Sequence, residues 1–122
     1  ISKEIKSKRK VFEDKNIAAF TPYASEYHYE VWIFPKRHTD NISTLNKEEL
    51  KSLSIVMKKI LKKLHSLGLS YNYFMHQAVS NKDQHFYIKI QPRDSVWAGV
   101  ELGSGLVINS VPPEVAAEFY RE

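Results

Sequence analysis

Apolar residues recur along this chain with two different periods, and the switch between them marks out its elements. Between Lys10 and Pro22 two short strands are expected, Val11–Glu13 and Ile17–Thr21, with Asp14-Lys15-Asn16 as the turn of a hairpin. The run Tyr29-Glu30-Val31-Trp32-Ile33-Phe34 is rich in β-branched and aromatic residues and stops at Pro35, the strongest strand signal in the chain. The period then lengthens. Leu50, Leu53, Val56, Met57, Ile60, Leu61, Leu64 and Leu67 fall three and four apart, the spacing of one apolar stripe on a helix. Asn46 is placed to cap that helix, Glu49 to reach back to the cap, Leu45 to staple onto Leu50, and Gly68 to end it.

Period two returns at Tyr71–Ala78 and His85–Gln91. In the latter, His85, Tyr87 and Lys89 share one face while Phe86, Ile88 and Ile90 fill the other. A glycine-rich segment, Gly99 to Gly105, leads into Leu106–Asn109, and Pro113–Tyr120 reads as a last helix because proline suits a first helical turn. Strands in series with one long helix and short connections indicate an α+β fold: an antiparallel sheet with the long helix packed across one face and a short C-terminal helix. The 122 residues are taken as a single domain, 1–122, long enough to bury a core without disulfides.

Charge and composition narrow the chemistry. No apolar run approaches the roughly 20 residues that span a bilayer, so no membrane partner is expected. Ile1 to Lys10 shows neither an apolar leader nor a cleavage site, and the expected location is cytoplasmic. With no cysteine, any metal must be held by His, Asp or Glu, or be completed from outside this chain. The net charge of +4 would attract phosphates, but Lys47, Lys51, Lys58, Lys59, Lys62 and Lys63 lie together on the long helix without interleaved aromatics. That pattern is a solvated helix face, and no nucleic-acid partner is expected.

Five histidines remain. His65 sits among lysines near the helix end and His28 in a loop, and both read as surface residues. His38 follows the aromatic strand at the sheet edge; His76 and His85 lie on strands whose antiparallel pairing would bring them together. From spacing alone His76 and His85 form either a shared metal or phosphate site or separately satisfied residues.

Four blocks, in order, carry a resemblance. Tyr29-Glu30-Val31-Trp32-Ile33-Phe34-Pro35-Lys36-Arg37-His38 resembles a block in the second domain of galactose-1-phosphate uridylyltransferases and related ADP-sugar phosphorylases. Tyr71 to His76, then His85-Phe86-Tyr87-Ile88-Lys89-Ile90-Gln91-Pro92-Arg93, then Gly99 to Asn109 with Pro113 to Ala117, follow in that family's order, covering nearly the whole chain. The resemblance implies a histidine-triad-like fold and a role as the C-terminal domain of a nucleotidylyltransferase. Such an enzyme moves a nucleoside monophosphate between UDP-hexose and hexose-1-phosphate as a homodimer. The nucleophilic histidine of such enzymes lies in a His-Pro-His motif of the first half. This chain has none, so no catalytic residue is assigned and the isolated chain is expected to be inactive.

The resemblance also implies site residues. Gly99, Glu101 and Gly103 match the loop that reaches the hexose in a neighbouring subunit, with Glu101 accepting from hydroxyls. Lys36, Arg37 and Arg93 are candidates for binding the sugar phosphate or nucleotide. In some relatives a structural zinc is held by an upstream Cys-x-x-Cys pair with histidines matching His38 and His85; others hold iron or zinc with a His matching His76 and a His-x-His pair, whose second member here is Tyr87. Zinc is therefore a possible cofactor, with an incomplete ligand set in this chain: His38, His85 and His76. Two other readings are a stand-alone nucleotide-sugar-binding module, and an ADP-sugar phosphorylase or histidine-triad hydrolase. A hydrolase of that type needs a His-x-His-x-His run, which reads Asp83, His85 and Tyr87 here.

Overall fold

The computed structural model describes residues 7–23, 27–39, 41–77, 85–93 and 111–122. Strands β1 (Lys10–Glu13), β2 (Ile17–Phe20), β3 (Val31–Pro35), β4 (Tyr71–His76) and β5 (Tyr87–Pro92) form one antiparallel sheet in the order β1-β2-β3-β5-β4. Helix α1 (Lys47–Ser66) and the shorter α2 (Pro113–Arg121) pack on it, and a single 3-10 turn, Ile42–Thr44, lies between β3 and α1. The α+β architecture read from the sequence is the one observed.

The β1–β2 hairpin forms because the Asp14 carboxylate accepts from the backbone N–H groups of Asn16 (2.7 Å) and Ile17 (2.8 Å), closing the turn from a side chain. Burial of Asp14 works against its charge, but these amides outweigh it and hold its carboxyl below the ordinary value. β3 begins two residues later than the apolar run suggested. Tyr29 has a φ of +63°, a left-handed conformation that cannot continue a strand, and its carbonyl accepts from the Tyr120 hydroxyl at 2.6 Å. Both Tyr120 and Phe119 pack on its ring, so α2 holds this turn in place. β4 ends at His76 rather than Ala78. Gln77 turns away, its side-chain oxygen accepting from the Ile42 amide at 3.2 Å, and Ala78 lies outside the described residues. The segment Leu106–Asn109 also lies outside them.

Both ends of α1 are fixed chemically. Asn46 accepts from the Glu49 amide (2.8 Å) while Glu49 accepts from the Asn46 amide (3.0 Å), a complete capping box. At the other end the amide of Gly68 donates to His65 (2.9 Å) and that of Leu69 to Leu64 (3.2 Å), the paired bonds of a Schellman motif. The buried stripe runs Glu49, Ser52, Leu53, Val56, Ile60 and Leu64. Leu50 and Leu67, expected on that stripe, are exposed: Glu49 and Leu53 take the buried positions on either side of Leu50, Leu67 is the C-cap residue beyond the last helical turn, and Leu45 is buried without a buried Leu50 to staple.

Between helices and sheet lie Val11, Ile17, Ala19, Val31, Ile33, Phe86, Ile88 and Ile90, facing Leu53, Val56, Ile60, Leu64, Ala117 and Tyr120. The hydroxyl of Thr21 donates to the Pro113 carbonyl at 2.6 Å and Arg9 pairs with Glu114 at 3.0 Å, tying α2 to the hairpin. Among the described residues no helix is long and apolar enough to cross a membrane.

Gly68 has a φ of +69° and a Cβ there would meet nothing within 4 Å. Gly68→Ala therefore costs only the left-handed backbone strain, about 1 kcal/mol, with no packing loss. Urea unfolding checks this; a loss several times larger would mean that the position is sterically closed.

Candidate functional site

The alternation of β5 builds the site. Phe86, Ile88 and Ile90 go under the helices, so His85, Tyr87 and Lys89 stand on the far face, and pairing brings Trp32 opposite Lys89 and His76 opposite Tyr87. The rings that result lie against one another across four strands. Phe20 stacks on Phe34 (5.5 Å between centroids), Phe34 on Tyr87 (5.0 Å), and Tyr87 on His76 (4.3 Å, 7° from parallel). Trp32 joins beside Tyr87 at 5.2 Å, with the Lys89 ammonium 5.5 Å from its ring. The Trp32 indole donates at 2.9 Å to the buried carboxylate of Glu30.

Beside this row, with His85 edge-on to Phe34 at 5.5 Å, His38 meets His85 ring to ring at 5.0 Å. The Nε2 of His85 lies 3.0 Å from the carbonyl of Pro35. A carbonyl only accepts, so Nε2 carries the proton, and Nδ1 holds the lone pair in the neutral ring. That nitrogen is the one able to take a metal ion or a proton. His76 stands apart with Tyr87. Burial, with Lys89 nearby, lowers its pKa from the ordinary 6.5, so its ring is neutral at neutral pH. Burial also raises the Tyr87 phenol, helped by the charge of Glu30, and keeps it protonated. A protonated phenol is a poor ligand.

The donor set bears on zinc directly. His38 and His85 are close enough to share an ion, but among the described residues no group of three His, Cys, Asp or Glu side chains converges. Two imidazoles do not make the closed four-ligand site of structural zinc, so the described residues do not fit that ion without further ligands.

The three cationic candidates are placed as follows. Lys36 pairs with Glu13 at 2.7 Å. Arg37 bridges the loop to α1: it donates to both carboxylate oxygens of Glu49 (2.8 and 3.3 Å) and to the Thr44 carbonyl (2.6 Å). Arg93 is exposed at the end of β5, where its amide donates to the Ser70 carbonyl at 2.7 Å. Gly99, Glu101 and Gly103 lie outside the described residues. Sequence reading marked the imidazoles but missed two features: the ring row formed by Phe20, Phe34, Trp32 and Tyr87, and the bond from Arg37 to Glu49. The row was legible in principle, since Trp32 and Phe34 alternate with Val31 and Ile33 as Tyr87 alternates with Ile88. The Arg37 bond, spanning a loop, left no such signal.

The Arg37 hydrogen bonds, more than the opposing burial, hold the Glu49 carboxyl below its ordinary value of 4.5. A depressed folded pKa means that the stabilisation is complete above the unfolded value and is lost as pH falls through the lower folded one. Glu49→Ala removes the cap and the Arg37 bonds together and is expected to cost about 2 kcal/mol at pH 7, whereas Glu49→Gln keeps the cap and costs less. Unfolding of the wild type and Glu49→Ala at a series of pH values checks both points: the gap between them should close in acid, and a pH-independent gap would contradict the assignment.

The comparisons with known proteins agree with this geometry. The family model described as HIT domain matches residues 2–88. The chain is 35% identical to galactose-1-phosphate uridylyltransferase of Thermotoga maritima, over 93% of this chain and 40% of that protein. It is 32% identical to ADP-glucose phosphorylase of Arabidopsis thaliana, over 98% of this chain and 36% of that one. A solved uridylyltransferase structure superposes with a TM-score of 0.85 and 29% identity, over 97% of this chain and 41% of its own. The chain thus spans about two-fifths of the length of the relatives it matches.

Proposed function

The chain belongs to the HIT domain family, and from that premise we propose that it acts as the C-terminal domain of a nucleotidylyltransferase. The full protein would move a nucleoside monophosphate between UDP-hexose and hexose-1-phosphate. The observation that carries this reading is the match to a uridylyltransferase over 93% of the chain but only 40% of the relative. In such a protein the attacking histidine comes from the other part. Its nitrogen bonds to the α-phosphorus as the phosphorus–oxygen bond to the departing hexose-1-phosphate breaks. A second hexose-1-phosphate then attacks through a phosphate oxygen and frees the histidine.

On this reading the described half supplies framework and contacts. The row from Phe34 to His76 is a rigid wall, Lys89 is a cation beside it over Trp32, Arg93 offers a further cation beyond the end of β5, and the loop bearing Gly99, Glu101 and Gly103 would touch the hexose in a neighbouring subunit of a homodimer. Lys36 and Arg37 serve phosphate binding only if they exchange their present carboxylate partners. Zinc, if held, would be structural, with His38 and with His85 through Nδ1 as two ligands and the others from outside the described residues. A cytoplasmic location and a role in galactose metabolism belong to the same proposal. The likeness to an ADP-glucose phosphorylase keeps the adenine nucleotide as the second candidate substrate.

The test pairs the chain with the amino-terminal part of the Thermotoga maritima relative, which is expected to supply the nucleophile. Isotope exchange between UDP-glucose and labelled galactose-1-phosphate should be absent with the chain alone and appear with both parts, with ADP-glucose and phosphate run in parallel. Turnover by the chain alone, or no exchange of either kind by a stable complex of the two parts, would contradict the proposal.

A further inference from the structure

Among the described residues two glutamates are buried, Glu30 and Glu49, each only 2% exposed. The burial of Glu49 is explained by its helix cap and its bonds to Arg37. Glu30 needs a different account. It lies between Tyr29 and the start of β3, caps no helix, and accepts through Oε2 from the Trp32 indole nitrogen at 2.9 Å. Taking a carboxylate out of water is costly unless its bonds offset the loss, so a glutamate buried here is best understood from what it holds.

The backbone around Glu30 is fixed from both sides. Its amide donates to the Tyr27 carbonyl at 3.3 Å, and the carbonyl of the left-handed Tyr29 accepts from Tyr120 on α2. Trp32 is then held at its N–H edge by Glu30 and across its ring by Tyr87, 5.2 Å away and 22° from parallel. Lys89 stands opposite Trp32 in the β3–β5 register, and its ammonium lies 5.5 Å from the indole, within cation–π reach. Both side chains are half-buried and so still meet solvent. A lysine left to itself samples many rotamers, and a ring held at one angle limits where its ammonium can stand.

We infer that Glu30 is a positioning residue: its carboxylate sets the angle of the Trp32 ring, and the ring sets where the Lys89 ammonium meets the phosphate of a hexose-1-phosphate. The ligand in that statement rests on the transferase reading, whereas the line of contacts from Glu30 to Lys89 does not. Charge and position act in opposite directions here. A negative charge near an anion site repels the anion, so neutralising Glu30 would by itself tighten phosphate binding. Losing the acceptor frees the Trp32 ring and with it the ammonium, which weakens binding. The sign of the change therefore separates a positioning role from a purely electrostatic one.

Titration of the full chain with galactose-1-phosphate, followed by NMR at the Trp32 indole proton and the Lys89 side chain, tests it; loss of one indole signal in Trp32→Phe gives the assignment. In the wild type both sites should shift. Glu30→Gln keeps an acceptor oxygen, so the indole stays bonded and Kd is unchanged or lower. Glu30→Met should move the indole proton upfield, remove the Trp32–Tyr87 ring contacts and raise Kd about tenfold, as should Lys89→Met, which leaves the indole signal in place. Trp32→Phe cuts the same bond from the other side and should weaken binding as Glu30→Met does, which keeps the test open if Glu30→Met does not fold. No shift at Lys89 in the wild type overturns the inference, as does a Glu30→Met chain with an unmoved indole or with tighter binding, or a Glu30→Gln chain weakened as much as Glu30→Met. The exchange assay reads the transferase reading separately: the expected Kd pattern without exchange would remove that reading and leave the positioning role, and exchange with a Kd indifferent to Glu30→Met would do the reverse.

Discussion

Antiparallel pairing of β5 between β3 and β4 is the constraint on which the rest depends. Because side chains alternate across a strand, seating Ile88 and Ile90 beneath α1 leaves Tyr87 and Lys89 nowhere to stand but the opposite face. A slip of one residue would bury Lys89 and expose the isoleucines. The core therefore fixes which side chains the far face presents, and the stacked row from Phe20 to His76 follows from the same register. The apolar half of the strand sets the geometry of the polar half.

The loop after β3 is the second fixed point. The Phe86 amide donates to the Thr39 carbonyl at 2.6 Å, and His85 donates to the Pro35 carbonyl, so both residues that lead into β5 are bonded to the end of β3 and the loop beyond it. Arg37, between those two anchors, secures the loop to the start of α1 through Glu49. His38 is thereby held over His85. A cation in a loop of this kind does structural service, which explains why Arg37, attractive as a phosphate ligand from its sequence block, is found bonded to a carboxylate that also caps a helix.

Much of this was legible in the sequence, for definite reasons. The switch from period two to period 3.6 located every described strand and the long helix, and the capping residues Asn46, Glu49 and Gly68 act as read. Burial on one face and not the other put His85, Tyr87 and Lys89 together because alternation is local. What escaped was non-local. Tyr29 adopts a left-handed backbone because α2, some ninety positions later, holds it there; in isolation it reads as strand. Leu50 and Leu67 match the helical period but stand beside the buried stripe and past the helix end, a matter of relative position that no period records. The site was half visible for the same reason: the imidazoles His38 and His85 come from separate blocks, and only the resemblance suggested that they belong together.

The account stands on that closeness of the rings on the far face, and proton NMR measures it directly. Nuclear Overhauser contacts should connect the ring protons of His38 with those of His85, and those of His76 with those of Tyr87, in the chain at neutral pH. A well-dispersed, folded spectrum lacking both sets of contacts would place the imidazoles on unrelated surfaces and contradict the assignment of this face as part of a pocket.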